Sequence, residues 1–275
     1  MNTAEQIIDS VAIPTLPEVA VRLLSLCSNE HVGAGEIVQA IELDAALSAR
    51  LLKVANSTYF GQQGKVHTLT RAAVVLGNEY IKAVSLGFHI CSGWAGFGAG
   101  GLDVKAFWYD SVLRACLARQ LAKASASHSG EQMFLVGMLQ NIGALILATH
   151  FQKDYVDFLK SEEGTAIDLC KAEQIRFGTN RAEVAGVLAE RWRFPDPLGL
   201  ALRRQYMQPP FMRTQDYGTL LWQITYFCSA VPFASDGQTA AVDVTLRHLA
   251  ISALGLSFEA LSDVFTLTVE QFNDV

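Results

Sequence analysis

Ionic side chains are scarce in this chain. Only 17% of its 275 residues are charged, against 51% apolar, and the formal net charge is −6. So few cations leave no broad basic face for a phosphate backbone, and nucleic acid is not an expected partner. Arg191, Arg193, Arg203 and Arg204 are the one local basic concentration. A solvated helix face accounts for them better than a binding patch does. Cysteine is thin as well. Cys27, Cys91, Cys116, Cys170 and Cys228 are scattered, odd in number and never spaced as CxxC. That pattern excludes a disulfide framework and suits free thiols in a reducing compartment. The six histidines never fall at helical pair spacing, and HExxH is absent, so no local metal motif is present. No GxSxG elbow marks a hydrolase serine. Glu162 and Glu163 sit in a turn-like SEEG and are expected to be solvated rather than an acid/base pair. The opening MNTAEQIIDSVAIP lacks a basic region followed by a long apolar core, so a signal peptide is not expected. A cytoplasmic location follows as an expectation.

Period-two alternation bounded by turn signals is missing too, with AAVVLG at 72–77 the one ambiguous piece. What is present is helical spacing. Val19, Leu23 and Leu26 recur at four and three, and Leu47, Leu51 and Val54 share a face. Asp44 and Thr68 are placed as N-caps, Gly77 as a C-terminal stop, and Asn78 as the opening of the next helix. A long amphipathic helix is expected from Asp103 to Ala124 and an apolar one over 132–149. Further helices are expected near 153–162, 165–176 and 180–193, then from an Asp196 N-cap through Arg204, and over 217–231, 243–254 and 257–264. The fold class is all-α. The glycine-dense stretch 92–103 divides it into an N-terminal bundle, 1–95, and a C-terminal bundle, 102–275. GFGAGG at 96–101 matches GxGxxG. It follows a helix and lacks an acidic residue about 20 positions on, so it is expected to be a hinge rather than a phosphate loop.

Residues 132–149 carry no formal charge for 18 positions, close to the length of a membrane span. Two glycines and the adjacent amides Gln140 and Asn141 favour a buried helix of a bundle instead. Buried amides without hydrogen bonds cost about 1–3 kcal/mol each. The pair therefore marks either a polar side reaching the surface or backbone groups, or a polar pocket. Composition does not choose between these.

The run GEIVQAIELDAALSARLLKVANSTYFG, followed by HTLTRAAVVLGNEYIKAVSL, resembles the HDOD domain of bacterial signalling proteins. Ala45 stands where that family usually has Pro. LPEVAVRLLSL at 16–26 is similar to the family's opening. AFWYDS, GMLQNIGALIL, NRAEVAGVLAERWRFPDPL and LALRRQY then follow in the family's order. The resemblance covers about 16–210.

The resemblance implies that the second bundle is related to HD-type metal-dependent phosphohydrolases, in which His and Asp hold a divalent metal that activates water. At the matching positions Gln140 stands for the His and Asn141 for the Asp. Asp110 falls where the first His would be, and Arg181 replaces a further His. Gln205 and Tyr206 replace paired histidines, and the last Asp aligns loosely near Thr225. Neutral amides and a fixed cation suit a metal badly. The implied protein is a non-enzymatic regulatory module with no cofactor and no bound metal. A protein partner in a signalling pathway is expected, and neither membrane nor nucleic acid. Asp44, Arg50 and Asn56 form the polar part of the N-terminal motif, with capping and structural bonding as their plainer role. Two alternatives stand beside this reading. One is a sensor with a nucleotide-like ligand in the old metal pocket, Arg181 meeting a phosphate. The other is a divergent phosphohydrolase using Asp110.

Overall fold

The spacing of apolar residues becomes sixteen α-helices, with no strand among the described residues. The computed structural model describes residues 3–11, 13, 18–27, 33–57, 60, 64–94, 100–125, 130–162, 165–232 and 242–274. The first helices are α1 (Thr3–Ser10), α2 (Glu18–Cys27), α3 (Ala34–Glu42), α4 (Ala45–Ala55), α5 (Leu69–Leu76) and α6 (Asn78–Trp94). Then come α7 (Val104–Ala124), α8 (Gly130–Leu139), α9 (Ile142–Phe151), α10 (Lys153–Ser161) and α11 (Ala166–Phe177). The chain continues through α12 (Arg181–Arg191), α13 (Asp196–Arg204), α14 (Tyr217–Ala230), α15 (Val244–Ser252) and α16 (Phe258–Asp274). AAVVLG lies in α5 and at its stop, so the ambiguous run is helical. Residues 96–99 of GFGAGG lie outside the described residues.

Local chemistry sets several boundaries. Asp44 Oδ1 accepts from the Leu47 amide at 2.9 Å, and Thr68 Oγ1 from the Arg71 amide at 3.2 Å. Gly77 ends α5 at φ +85°, a conformation that costs a side chain but not glycine. Pro195 rather than Asp196 is the N-cap of α13. Its carbonyl accepts from Leu198 and Gly199, which makes Asp196 the first helical residue.

Three elements differ from the sequence expectation. The apolar helix over 132–149 is broken at Gln140–Asn141 into α8 and α9. A second difference is α16, which runs to Asp274 rather than ending near 264. Its buried stripe continues through Thr268 and Gln271, two polar residues that hide the periodicity. Finally, α1 carries no strong sequence signal, yet Ala4, Ile7 and Ile8 are buried at helical spacing. This helix packs against α9 and α12. The Arg191 guanidinium bonds to the Asp9 carboxylate, and Ser10 Oγ lies 2.7 Å from His150 Nδ1.

One contiguous apolar core runs from Ala4 to Val264. α6 packs against α2 to α5 on one side and α8 on another, while α7 packs on α8 and α16. Polar side chains are buried at this junction. The Arg119 guanidinium lies over the Tyr80 ring, 3.9 Å from its centroid. Gln271 donates to the Tyr80 hydroxyl at 3.2 Å and accepts from Gln120 at 2.8 Å. The stretch Met133–Phe151 is long and apolar enough to cross a membrane, but 78% of its most apolar window is buried inside the protein.

Candidate functional site: a pocket between α7, α9 and α12

The break in the apolar helix turns Asn141 toward α7. Its Nδ2 donates to Asp110 Oδ2 at 2.5 Å. The same oxygen accepts from Arg114 Nε at 2.6 Å, one turn along α7. Arg114 Nη1 also donates to the carbonyls of Cys228 and Val231 at the C-terminal end of α14, a favourable place for a cation. One guanidinium thus ties α7 to α14, and Asn141 ties α7 to the α8–α9 break.

Arg181 opens α12, which Asn180 caps by accepting from the Ala182 and Glu183 amides at 3.0 Å. Its guanidinium is bonded to Glu173 of α11. Nε and Nη2 reach Glu173 Oε1 at 2.7 and 2.6 Å, and the Arg181 backbone amide donates to Glu173 Oε2 at 2.9 Å. The Tyr155 hydroxyl donates to Glu173 Oε1 at 2.5 Å and accepts from Arg181 Nη2 at 3.3 Å. Burial works against the charge on Arg181, but Tyr155 and Glu173 more than offset it, and its pKa stands well above the usual value. Burial pushes the Tyr155 hydroxyl up as well, against the pull of Arg181.

Asp110, Asn141 and Arg181 border a cavity of about 290 Å³. Asp110, Arg114, Asn141, Arg181, Tyr206 and Ser229 supply its main polar atoms, and Leu102, Phe107 and Leu159 its apolar side. Burial is the chief cause raising the Tyr206 hydroxyl's pKa, with Arg181 and Arg114 pulling the other way.

Of the residues singled out from sequence, Asp110, Asn141, Arg181 and Tyr206 meet at this cavity. Gln140 and Gln205 do not border it. Gln140 is 0% exposed, and neither its amide oxygen nor its nitrogen finds a partner among the described residues. Gln205 is buried and donates to Leu202 O at 2.9 Å within its own helix. Thr225 spends its hydroxyl on Leu221 O at 2.6 Å. Arg114, Glu173 and Tyr155 were not singled out. Arg114 was legible as the i+4 partner of Asp110. Glu173 and Tyr155 reach Arg181 only through the packing of α10, α11 and α12.

The N-terminal motif is spread out. Asp44 is a cap. Asn56 Nδ2 donates to Leu52 O and Val66 O at 2.9 and 2.8 Å, and its Oδ1 accepts from the Val66 amide at 3.0 Å. It staples the segment after α4 onto that helix. Arg50 is exposed, its guanidinium 5.2 Å from the centroid of the Phe88 ring.

The donor chemistry does not fit a divalent metal. Asp110 is bonded to a guanidinium, its neighbours at the pocket are an amide and a second guanidinium, and no group of three or more His, Cys, Asp or Glu forms among the described residues.

The described residues form an all-α fold that carries this pocket. The HDOD domain family model matches residues 13–208, and the chain belongs to that family. Among solved structures, it is similar to an HDOD domain protein from Geobacter sulfurreducens, with TM-score 0.76 and 18% identity, covering 98% of this chain and 95% of that one. A Marinobacter aquaeolei VT8 structure with a signal-transduction name gives TM-score 0.71 and 24% identity, covering 100% and 60%. A Shewanella amazonensis SB2B structure with a phosphohydrolase name gives 0.72 and 21%, covering 99% and 97%. An uncharacterized protein of Treponema pallidum (strain Nichols) is 23% identical over 234 residues, 82% of this chain. The chain spans only 43% of that relative's length.

Proposed function

We propose that this chain is a non-enzymatic, cytoplasmic regulatory module of the HDOD type that acts by binding a protein partner. The observation that carries this reading is the bonding of Asp110, whose Oδ2 is held by Arg114 at 2.6 Å and by Asn141 at 2.5 Å. A fixed guanidinium already does the cross-linking that a bound cation would do in an HD-type site, and it repels a second cation. HDOD membership and the signal-transduction name of one structural neighbour support the regulatory role. The phosphohydrolase name of another neighbour belongs to that protein. Passage of a state change between the bundles draws support from the buried Arg119, Tyr80, Gln271 and Gln120 contacts that join α6, α7 and α16.

The experiment combines metal analysis with hydrolysis. After incubation with Mn²⁺ and desalting, the expected result is substoichiometric metal and no turnover of bis-p-nitrophenyl phosphate. Stoichiometric Mn, Fe or Ni together with hydrolysis overturns the reading. A pull-down from the native host tests the partner, and the expected result is a specific protein captured in proportion to bait.

A further inference from the structure

We propose that the outer face of α15 is where two copies of this chain pair, antiparallel about a two-fold axis. The surface lies beyond residue 208, where the HDOD match ends, and so belongs to the C-terminal helices. It stands apart from the bonding of Asp110, and its failure would leave that reading untouched.

Exposed apolar side chains gather here. Val244 is 82% exposed, Ile251 57%, Phe258 66% and Met212 63%. Val21, Val74 and Ile175 are also exposed, but they sit one to a helix, which is ordinary. A contiguous apolar patch is different, because it marks a surface that something covers. Contacts make this set contiguous. Val244 and Ile251 are seven residues apart and form one ridge along α15. At 100° per residue, Arg247 and His248 fall on opposite sides of that ridge. On one side the Arg247 guanidinium lies 5.6 Å from the centroid of the Phe258 ring. On the other the His248 ring meets Phe211 edge-on at 5.5 Å. The chain from Phe211 then follows α15 to its end, where Arg213 Nη2 donates to Gly255 O at 3.2 Å. Met212 lies between those two contacts. Arg247 Nε donates to Val242 O at 3.0 Å, so the cation is held to the side and the ridge stays apolar.

Charge complementarity selects a second copy as the occupant. A two-fold interface uses one patch twice, so the patch must complement itself. With the axis between Arg247 and His248, antiparallel helices set Val244 of each copy against Ile251 of the other. The N-terminal end of α15, with Asp243, then meets the other copy's C-terminal end, where Arg213 lies. Among the described residues neither Asp243 nor Arg213 makes an ion pair within the chain. Pairing therefore joins them twice, once at each end. The rim carries both signs, Arg213 and Arg247 against Asp243 and Glu259, which favours neither a polyanion nor a polycation. The strip is far short of the roughly 20–30 residues a side of a standard interface, so the pairing is weak.

The test is sedimentation equilibrium of the full chain over a series of concentrations. The mass is expected to climb from 29.9 kDa toward twice that value. Half-dimerisation is expected at about 10–100 µM, the weak range that so small an interface supports. Val244→Glu and Ile251→Lys change exposed side chains and leave the melting temperature unchanged. Each alone buries an unpaired charge against the other copy and weakens association at least about tenfold. Carried together on one chain, the two substitutions face each other across the axis and restore association above either single variant. A chain that stays monomeric at the highest concentration overturns the proposal. So does a dimer indifferent to both single substitutions, or a double variant as weak as the singles. Phosphatidylglycerol vesicles are expected to leave the chain in the supernatant. Capture on them by the wild type, lost in Val244→Glu, would assign the face to a membrane and overturn the pairing.

Discussion

Two adjacent amides meet opposite fates in this molecule. Asn141 spends its Nδ2 on Asp110 at 2.5 Å. Gln140, one residue earlier, is fully buried, and both its amide atoms are unbonded among the described residues. The sequence marked both as pocket groups, and only one reaches the pocket. An unsatisfied buried amide is a cost that an apolar side chain of similar length removes. Gln140→Met is therefore expected to stabilise the fold by about 1–2 kcal/mol, or roughly 2–4 °C in melting temperature per kcal/mol. Urea denaturation with an unchanged slope checks it. A loss of stability instead would mean that Gln140 has a partner in solution.

At the scale of elements, the pocket exists because backbones approach unusually closely around α8 and α9. A Cβ on Gly143 would lie 1.9 Å from the Arg181 carbonyl oxygen, and one on Gly137 would lie 2.6 Å from the Arg114 carbonyl oxygen. Both contacts are with backbone, which cannot swing aside. The glycines that weakened the membrane-span reading are thus the places where α9 meets α12 and α8 meets α7. Gly143→Ala must push α9 from the start of α12, at a cost of about 1–3 kcal/mol or more. Denaturant titration is expected to show that loss. Leaving stability unchanged would contradict this packing.

For the whole molecule, the buried thiols and hydroxyls set the alkaline limit. Burial raises Cys116 from 9.0 to about 12, and Cys170, also mainly through burial, from 9.0 to about 12. Cys228 moves in the same direction for the same reason. The folded chain keeps these protons while the unfolded chain releases them. Stability is therefore fully present below about pH 9 and falls as pH rises from there toward 12. Melting temperatures should hold level from neutral pH to about pH 8 and then decline steeply. A flat profile to pH 11 would show that the thiols are not buried in the folded chain.

The sequence by itself determined the all-α class, most helix positions, the caps at Asp44 and Thr68, and the HDOD family. Those follow from local periodicity, from side chains that bond within one turn, and from a motif read in order. Which polar groups meet was decided by the tertiary structure. Glu173 and Tyr155 reach Arg181 from other helices, Arg114 closes on the end of α14, and the α8–α9 break sends Asn141 to the pocket and Gln140 into the core. Such pairings depend on the rotation and separation of packed helices. One chain's spacing does not encode them until the backbones are set side by side.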